Sequence, residues 1–191
     1  MEIKGNNNGE ILKNYAQSLV DEYVANFSSI KRYGGFYIGR YELTGTIEEP
    51  TVKRGEYVLT AETANTWYGL KKACSEVVSG EDKSVQSMMI YGNEWDEVMD
   101  WLKSTRFKQE PEKVDKDSSS WGNYSNSTGD AAIEGAGEPQ VAGYSDSWSA
   151  NNIYDLAGNY YDYTQEANTA TWRSCRGRIL WCYRTSIRSK C

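Results

Sequence analysis

Residues 152–164 read "NIYDLAGNYYDYT", which sets four tyrosines, two aspartates, two asparagines and a glycine within thirteen positions. The mixture is too polar for an ordinary buried strand and too aromatic for a free loop. Asn152 and Asp155 can satisfy backbone groups in a turn, and Gly158 permits a positive φ just before Asn159. The rings that follow suit a strand packed on one side. The segment therefore reads as a turn that exits into a strand.

Upstream, residues 10–27 place Ile11, Tyr15, Leu19, Tyr23 and Phe27 at helical spacing among acids and lysines, which predicts an amphipathic helix. Residues 34–43, "GGFYIGRYEL", lead through paired glycines into Phe36, Ile38 and Tyr41 in the β-branched and aromatic context of a strand, and "GEYVLTA" (55–61) reads as a second one. Thr66 is an N-cap for a helix carrying Trp67, Leu70 and Cys74 on one stripe, which makes Cys74 an inert core thiol. Asn93 caps a further helix, with Asp96 and Glu97 near its positive end. Its Trp95, Val98, Met99 and Leu102 follow i, i+3, i+4, i+7 and read as core.

Beyond residue 103 the period disappears. Residues 103–151 form a long loop rich in Gly, Ser and Asn with scattered rings, a texture that marks binding loops. Tyr and Trp give rigid contact area while Ser, Gly and Asn adapt by hydrogen bonding. Trp121, Tyr124, Tyr144 and Trp148 are the candidate ligand contacts, and Trp121 and Trp148 also suit the role of pins. Asn123 and Asn126 lie in sequon-like "NYS" and "NST".

Composition narrows the chemistry. The 191 residues, 39% hydrophobic, suffice for a globular core. The net charge of −6 argues against nucleic acid as a main partner, although residues 173–190 hold Arg173, Arg176, Arg178, Arg184, Arg188 and Lys190 without an acid. The sequence contains no histidine, so His-dependent triads and His-ligated metal sites are excluded. Cys74, Cys175, Cys182 and Cys191 form no CxxC pair. The N-terminus lacks an apolar signal core and no run approaches spanning length, so a soluble chain with no membrane insertion is expected.

In order, "GGFYIGRYELT", "TWYGLKKAC", "SMMIYGNEWDEVMDWL", "NIYDLAGNYYDYT" and a later Arg-Gly step resemble the formylglycine-generating enzyme, or sulfatase-modifying factor, superfamily in its divergent bacterial and prophage branch. The resemblance covers about residues 30–178. It implies an α+β, C-type-lectin-like domain with two or three helices, short twisted strands and much irregular loop. The expected organisation is an N-terminal helical segment, 1–30, packed on a domain of 31–191 with an atypical tail at 178–191. In some relatives the Asn-rich turn binds calcium, and Asn159 and Asp162 match two such positions, with aspartate in place of the family's glutamate.

Catalytic members use two thiols that bind copper(I). Alignment puts Cys182 on the first, but Ile187 stands at the second and Arg178 replaces a family glycine. Codons exist for which the tail from Arg178 to Cys191, read one base later, gives E-Y-Y-G-V-T-E-Q-A-S-E-A-S, closer to the family pattern, and a frameshifted tail is the expectation. The expectation is a non-catalytic module, such as a phage tail or surface receptor-binding protein recognising a cell-surface glycan or protein. The alternatives are a copper-dependent oxidase and a structural prophage protein with no ligand of its own.

Overall fold

A computed structural model describes residues 7–61, 63–64, 66–77, 85–167 and 173–176. The chain divides into two compact units, Met1–Ile38 and Gly39–Cys191.

The first unit carries helix α1, Asn7–Tyr33, which extends past both ends of the predicted 10–27 stretch. Lys31 and Arg32 sit in its last turn, where cations favour the carbonyl end of the helix dipole. Gly34 terminates it. Its φ of 80° suits only a residue without Cβ, and its N–H bonds Ile30 O at 2.8 Å, closing the last open turn.

In the second unit, β1 (Thr44–Gly45) and β2 (Pro50–Thr51) form an antiparallel pair with Thr44 opposite Thr51. The stretches predicted as strands at 34–43 and 55–61 are instead mostly irregular. Each spends its backbone on single long-range contacts: Arg40 O accepts from Tyr154 N, Leu43 O accepts from Leu59 N, and Val58 makes one bridge to Thr44. A strand needs a partner running alongside, and these segments meet different partners residue by residue.

Helix α2, Trp67–Glu76, starts where expected: the Thr66 side chain accepts from Gly69 N at 3.1 Å. Leu70 and Ala73 are buried in a core with Leu59, Ala64 and Met89, and Trp67, Cys74 and Tyr163 pack against it. Burial pushes the Cys74 thiol up to about 11, as an inert core sulfur requires.

Helix α3, Gly92–Ser104, begins one residue before its predicted cap. Asn93 lies inside the helix, and the Glu94 carboxylate reaches back to accept from Tyr91 N at 2.8 Å. Trp95, Val98, Met99 and Leu102 are buried, as their spacing dictates.

The long loop is folded throughout. It holds a short helix α4 (Glu112–Asp115) and 3-10 turns at Gly129–Ala131 and Asp146–Trp148. A hairpin of β3 (Ser149–Ala150) and β4 (Ile153–Tyr154) follows, and β5 (Asp162–Ala167) pairs antiparallel with β6 (Arg173–Arg176). The class is mixed α+β, with the described strands in three separate two-stranded antiparallel pairs.

Candidate functional site

Backbone geometry explains why residues 151–159 have this composition. Asn151, Asn152, Asp155 and Asn159 all have positive φ, between 50° and 63°. Asn and Asp tolerate this region best among residues with a side chain. With Ala150 opposite Ile153, Asn151 and Asn152 are the two central residues of the β3–β4 hairpin. Positive φ at both matches the turn whose twist suits a tight hairpin. Gly158, at φ 88°, has no substitute: a Cβ there would stand 2.1 Å from Asn123 O.

Two buried asparagines then lock this turn to the long loop. Asn159 Nδ2 donates to Glu42 Oε2 at 2.8 Å and to Gln140 O at 3.2 Å. Its Oδ1 accepts from Gln140 N at 2.9 Å and from Asn123 Nδ2 at 3.2 Å. Asn123 in turn donates to Glu138 O and accepts from Gly137 N. Asn159 thus uses both donors and both acceptor positions within the protein. This corrects its expected role: an oxygen already holding two N–H groups is a loop clamp and not a calcium ligand. Asn123 is fully buried and similarly engaged, so only Asn126 of the two sequon asparagines is exposed.

Three of the four expected contact rings are interior. Trp121 Nε1 donates to Lys113 O at 2.9 Å while its ring packs on Phe107. Trp148 Nε1 donates to Ala131 O at 3.0 Å, and the Tyr124 hydroxyl pairs with Ser118 Oγ at 2.9 Å. All three are buried. Rings with both apolar body and polar tip satisfied inside have no surface left for a partner. They hold the loop in shape.

Tyr144 is different, 45% exposed and stacked on Trp148 with centroids 5.5 Å apart. Beside it lies a polar aromatic cluster that local spacing did not indicate. Arg54 donates through Nε to Gly143 O at 2.8 Å and through Nη2 to Asp146 Oδ1 at 2.7 Å, with its guanidinium 5.2 Å above the Tyr154 ring. The Tyr154 hydroxyl also donates to Asp146 Oδ1, at 2.8 Å, and the Tyr41 and Tyr154 centroids are 5.0 Å apart. Asp146 is held below the usual carboxylate range by the Tyr154 hydroxyl and then by Arg54. Gly143 joins the cluster at φ 65°, where a Cβ would press 2.7 Å from the Tyr41 ring. The result is a surface with fixed rings and a paired, neutral Arg–Asp group.

Beneath it lie three mutually repelling carboxylates. Asp155 Oδ2 accepts from Gly143 N at 2.6 Å, and Oδ1 has no partner among the described residues. Burial raises Asp155 from 3.8 to about 6. Burial also raises Glu42 well above the ordinary range, reinforced by Asp155 and Asp162 and opposed by hydrogen bonds from Asn159 and the Tyr160 backbone. Asp162 is raised by burial and by Asp155, and its Oδ2 has no partner among the described residues. No group of three or more His, Cys, Asp or Glu side chains among the described residues is placed to hold a metal ion.

Cys182, the expected weak catalytic thiol, and the 178–191 tail lie outside the described residues. Among the described residues, no helix is long and apolar enough to cross a membrane. No family model, curated protein or solved structure matches this chain.

Proposed function

We propose that the Gly39–Cys191 unit is a non-catalytic ligand-binding module of C-type-lectin-like, formylglycine-generating-enzyme-like type, which contacts a cell-surface glycan or protein as a phage tail or surface receptor-binding protein would. The contact face is formed by Tyr41, Arg54, Tyr144, Asp146 and Tyr154. The observation that carries this reading is the rigid presentation of Tyr144 and Tyr154 beside an Arg–Asp pair, on a loop clamped from below by Asn123 and Asn159. Rings fixed before binding lose little entropy on contact, and a neutralised ion pair offers donors and acceptors without selecting for charge. The test is binding of the labelled full chain to a glycan array and to whole bacterial cells. Tyr144→Ala and Tyr154→Ala should each weaken a detected interaction at least tenfold with unchanged thermal unfolding. Binding that survives both substitutions removes this face from consideration.

A second reading adds a structural calcium ion. It is favoured by the unpartnered oxygens of Asp155 and Asp162, hard donors held in repulsion. Those two carboxylates with backbone carbonyls would form the shell, and Asn159 would stay outside it. Calcium should raise the unfolding midpoint at neutral pH where magnesium does not, and Asp162→Asn should abolish the difference. Equal midpoints with and without calcium reject it.

A further inference from the structure

We propose that the ligand of the Tyr144–Asp146 face is a neutral glycan, held through two adjacent hydroxyls of one pyranose ring. This rests on the ligand-binding reading above and narrows it, since that reading admits a protein as well as a glycan.

Unspent hydrogen-bonding groups carry the inference. Both bonds that the described residues make to the Asp146 carboxylate, from Arg54 Nη2 and from the Tyr154 hydroxyl, fall on Oδ1. Oδ2 is left as an open acceptor on a side chain that is 76% exposed. Arg54 spends Nε on Gly143 O and Nη2 on Asp146, so among the described residues Nη1 is an open donor. The pair therefore presents one charged acceptor and one charged donor side by side, each held in place by bonds already made. A sugar hydroxyl both donates and accepts, and hydroxyls on neighbouring ring carbons point the same way. One donates to Asp146 Oδ2 while its neighbour accepts from Arg54 Nη1. A trans peptide group carries its N–H and C=O on opposite edges and meets only one of the two.

The adjoining ring has the matching shape. Ser145 is extended, with φ −125° and ψ 137°, so Tyr144 and Asp146 on either side of it project to the same side of the chain. One face of Tyr144 is stacked on the buried Trp148, and the other has no ring partner among the described residues. A pyranose bears C–H groups on its faces and hydroxyls around its rim, so it can lie flat on Tyr144 while two rim hydroxyls reach the Arg54–Asp146 pair. The rings of Tyr41 and Tyr154 are occupied by each other and by Arg54. The open apolar area is thus a single tyrosine face, enough for one sugar ring and small beside the roughly 800 Å² that each partner contributes to a stable protein interface.

Charge narrows the sugar. Residues 130–148 contain Asp130, Glu134, Glu138 and Asp146, all exposed, and no lysine or arginine. The charge of Arg54 is already opposed by Asp146. Such a face repels sialylated, uronic and phosphorylated sugars, and a neutral hexose is the class that fits.

The experiment is saturation-transfer NMR on the full chain with methyl glycosides of glucose, galactose and mannose, beside glucuronic acid and N-acetylneuraminic acid, each at about 1–50 mM. At least one neutral hexoside should receive saturation, chiefly at the C–H protons of one ring face, and neither acid should. Asp146→Asn keeps an oxygen for Arg54 and Tyr154 but turns the open acceptor into a donor, so it should weaken the hexoside about tenfold or more with an unchanged unfolding midpoint. Silence from every neutral hexoside overturns the proposal, as does a signal unmoved by Asp146→Asn. Attachment to bacterial cells separates this from the broader reading. Attachment that needs Tyr144, survives periodate cleavage of vicinal diols and is lost on protease treatment keeps the face but makes its ligand a protein, which refutes the glycan. Attachment indifferent to both Tyr144→Ala and Tyr154→Ala removes the face and the proposal together.

Discussion

Asp155→Asn should make the protein more stable at neutral pH and leave it almost unchanged in mild acid. Asp155 is 1% exposed, one of its oxygens has no partner among the described residues, and its burial outweighs the Gly143 N–H and Arg54 that favour its charge. Its folded pKa of about 6 lies above the ordinary 3.8. Well below 3.8 the carboxyl is neutral in both folded and unfolded chains and costs nothing. As pH rises through about 6 the unfolded chain has already ionised freely while the folded one ionises against resistance, so stability falls over that window. The difference of about 2 pH units corresponds to about 3 kcal/mol, fully expressed above the folded value. Asparagine has the same shape, tolerates the φ of 61° at this position and can still accept from Gly143 N. In calcium-free buffer at pH 7.5, urea unfolding should show a gain approaching 3 kcal/mol, or roughly 6–12 °C in the thermal midpoint for a chain of this size. At pH 4.5 the gain should shrink to a fraction of that. A variant destabilised more at pH 7.5 than at pH 4.5 would mean that ionised Asp155 stabilises the fold, and the argument from burial would be wrong.

Further outcomes follow from the same geometry. Gly158→Ala places a Cβ 2.1 Å from Asn123 O at φ 88° and should cost at least about 2–3 kcal/mol in urea unfolding. Asn159→Ala leaves Gln140 N and O and Asn123 Nδ2 without one of their partners, and a loss of about 3 kcal/mol is expected, with faster amide exchange over residues 137–141. Arg54→Lys keeps the charge but cannot hold Gly143 O and Asp146 together. The unfolding midpoint should barely move, because the pair is exposed, while amide exchange at Tyr144 to Ser147 should accelerate several-fold. Cys74, with its thiol raised to about 11, should resist alkylation at pH 7.5 in the native chain and react on denaturation, as read by peptide mass mapping.

How much of this was legible beforehand depended on the range of the interactions. The Thr66 cap and the Trp95–Leu102 stripe involve residues within one or two turns, and periodicity located both. The Asn-rich turn was legible for the same reason, since φ preference is a property of the residue itself. The stretches at 34–43 and 55–61 have strand composition, but strand formation requires a neighbour, and the neighbours are residues such as Tyr154 that no local pattern points to. The rings in the long loop failed differently. Tryptophan serves equally in a core and on a binding face, and what separates Trp148 from Tyr144 is Ala131 O, an acceptor seventeen positions away. The Arg54 cluster was out of reach because Arg54 and Gly143 are 89 positions apart.

One residue joins the two halves of the candidate site. Gly143 is gripped from inside by Asp155, which accepts from its N–H, and from outside by Arg54, which donates to its carbonyl. It is also the residue whose missing side chain lets the Tyr41 ring lie against the loop. The amides of Asn123 and Asn159 set the shape of the loop and do not themselves titrate. The carboxylates below them are only partly satisfied and respond to whatever neutralises them. A change in the charge of Asp155 alters the strength of its bond to Gly143 N, because a carboxylate accepts more strongly than a neutral acid. The same residue carries, on its following peptide group, the carbonyl that orients Arg54, and Arg54 positions Asp146 and covers Tyr154. The buried charge and the exposed rings are therefore separated by a single residue, and a stabilising change at the first should be judged by its effect on the second.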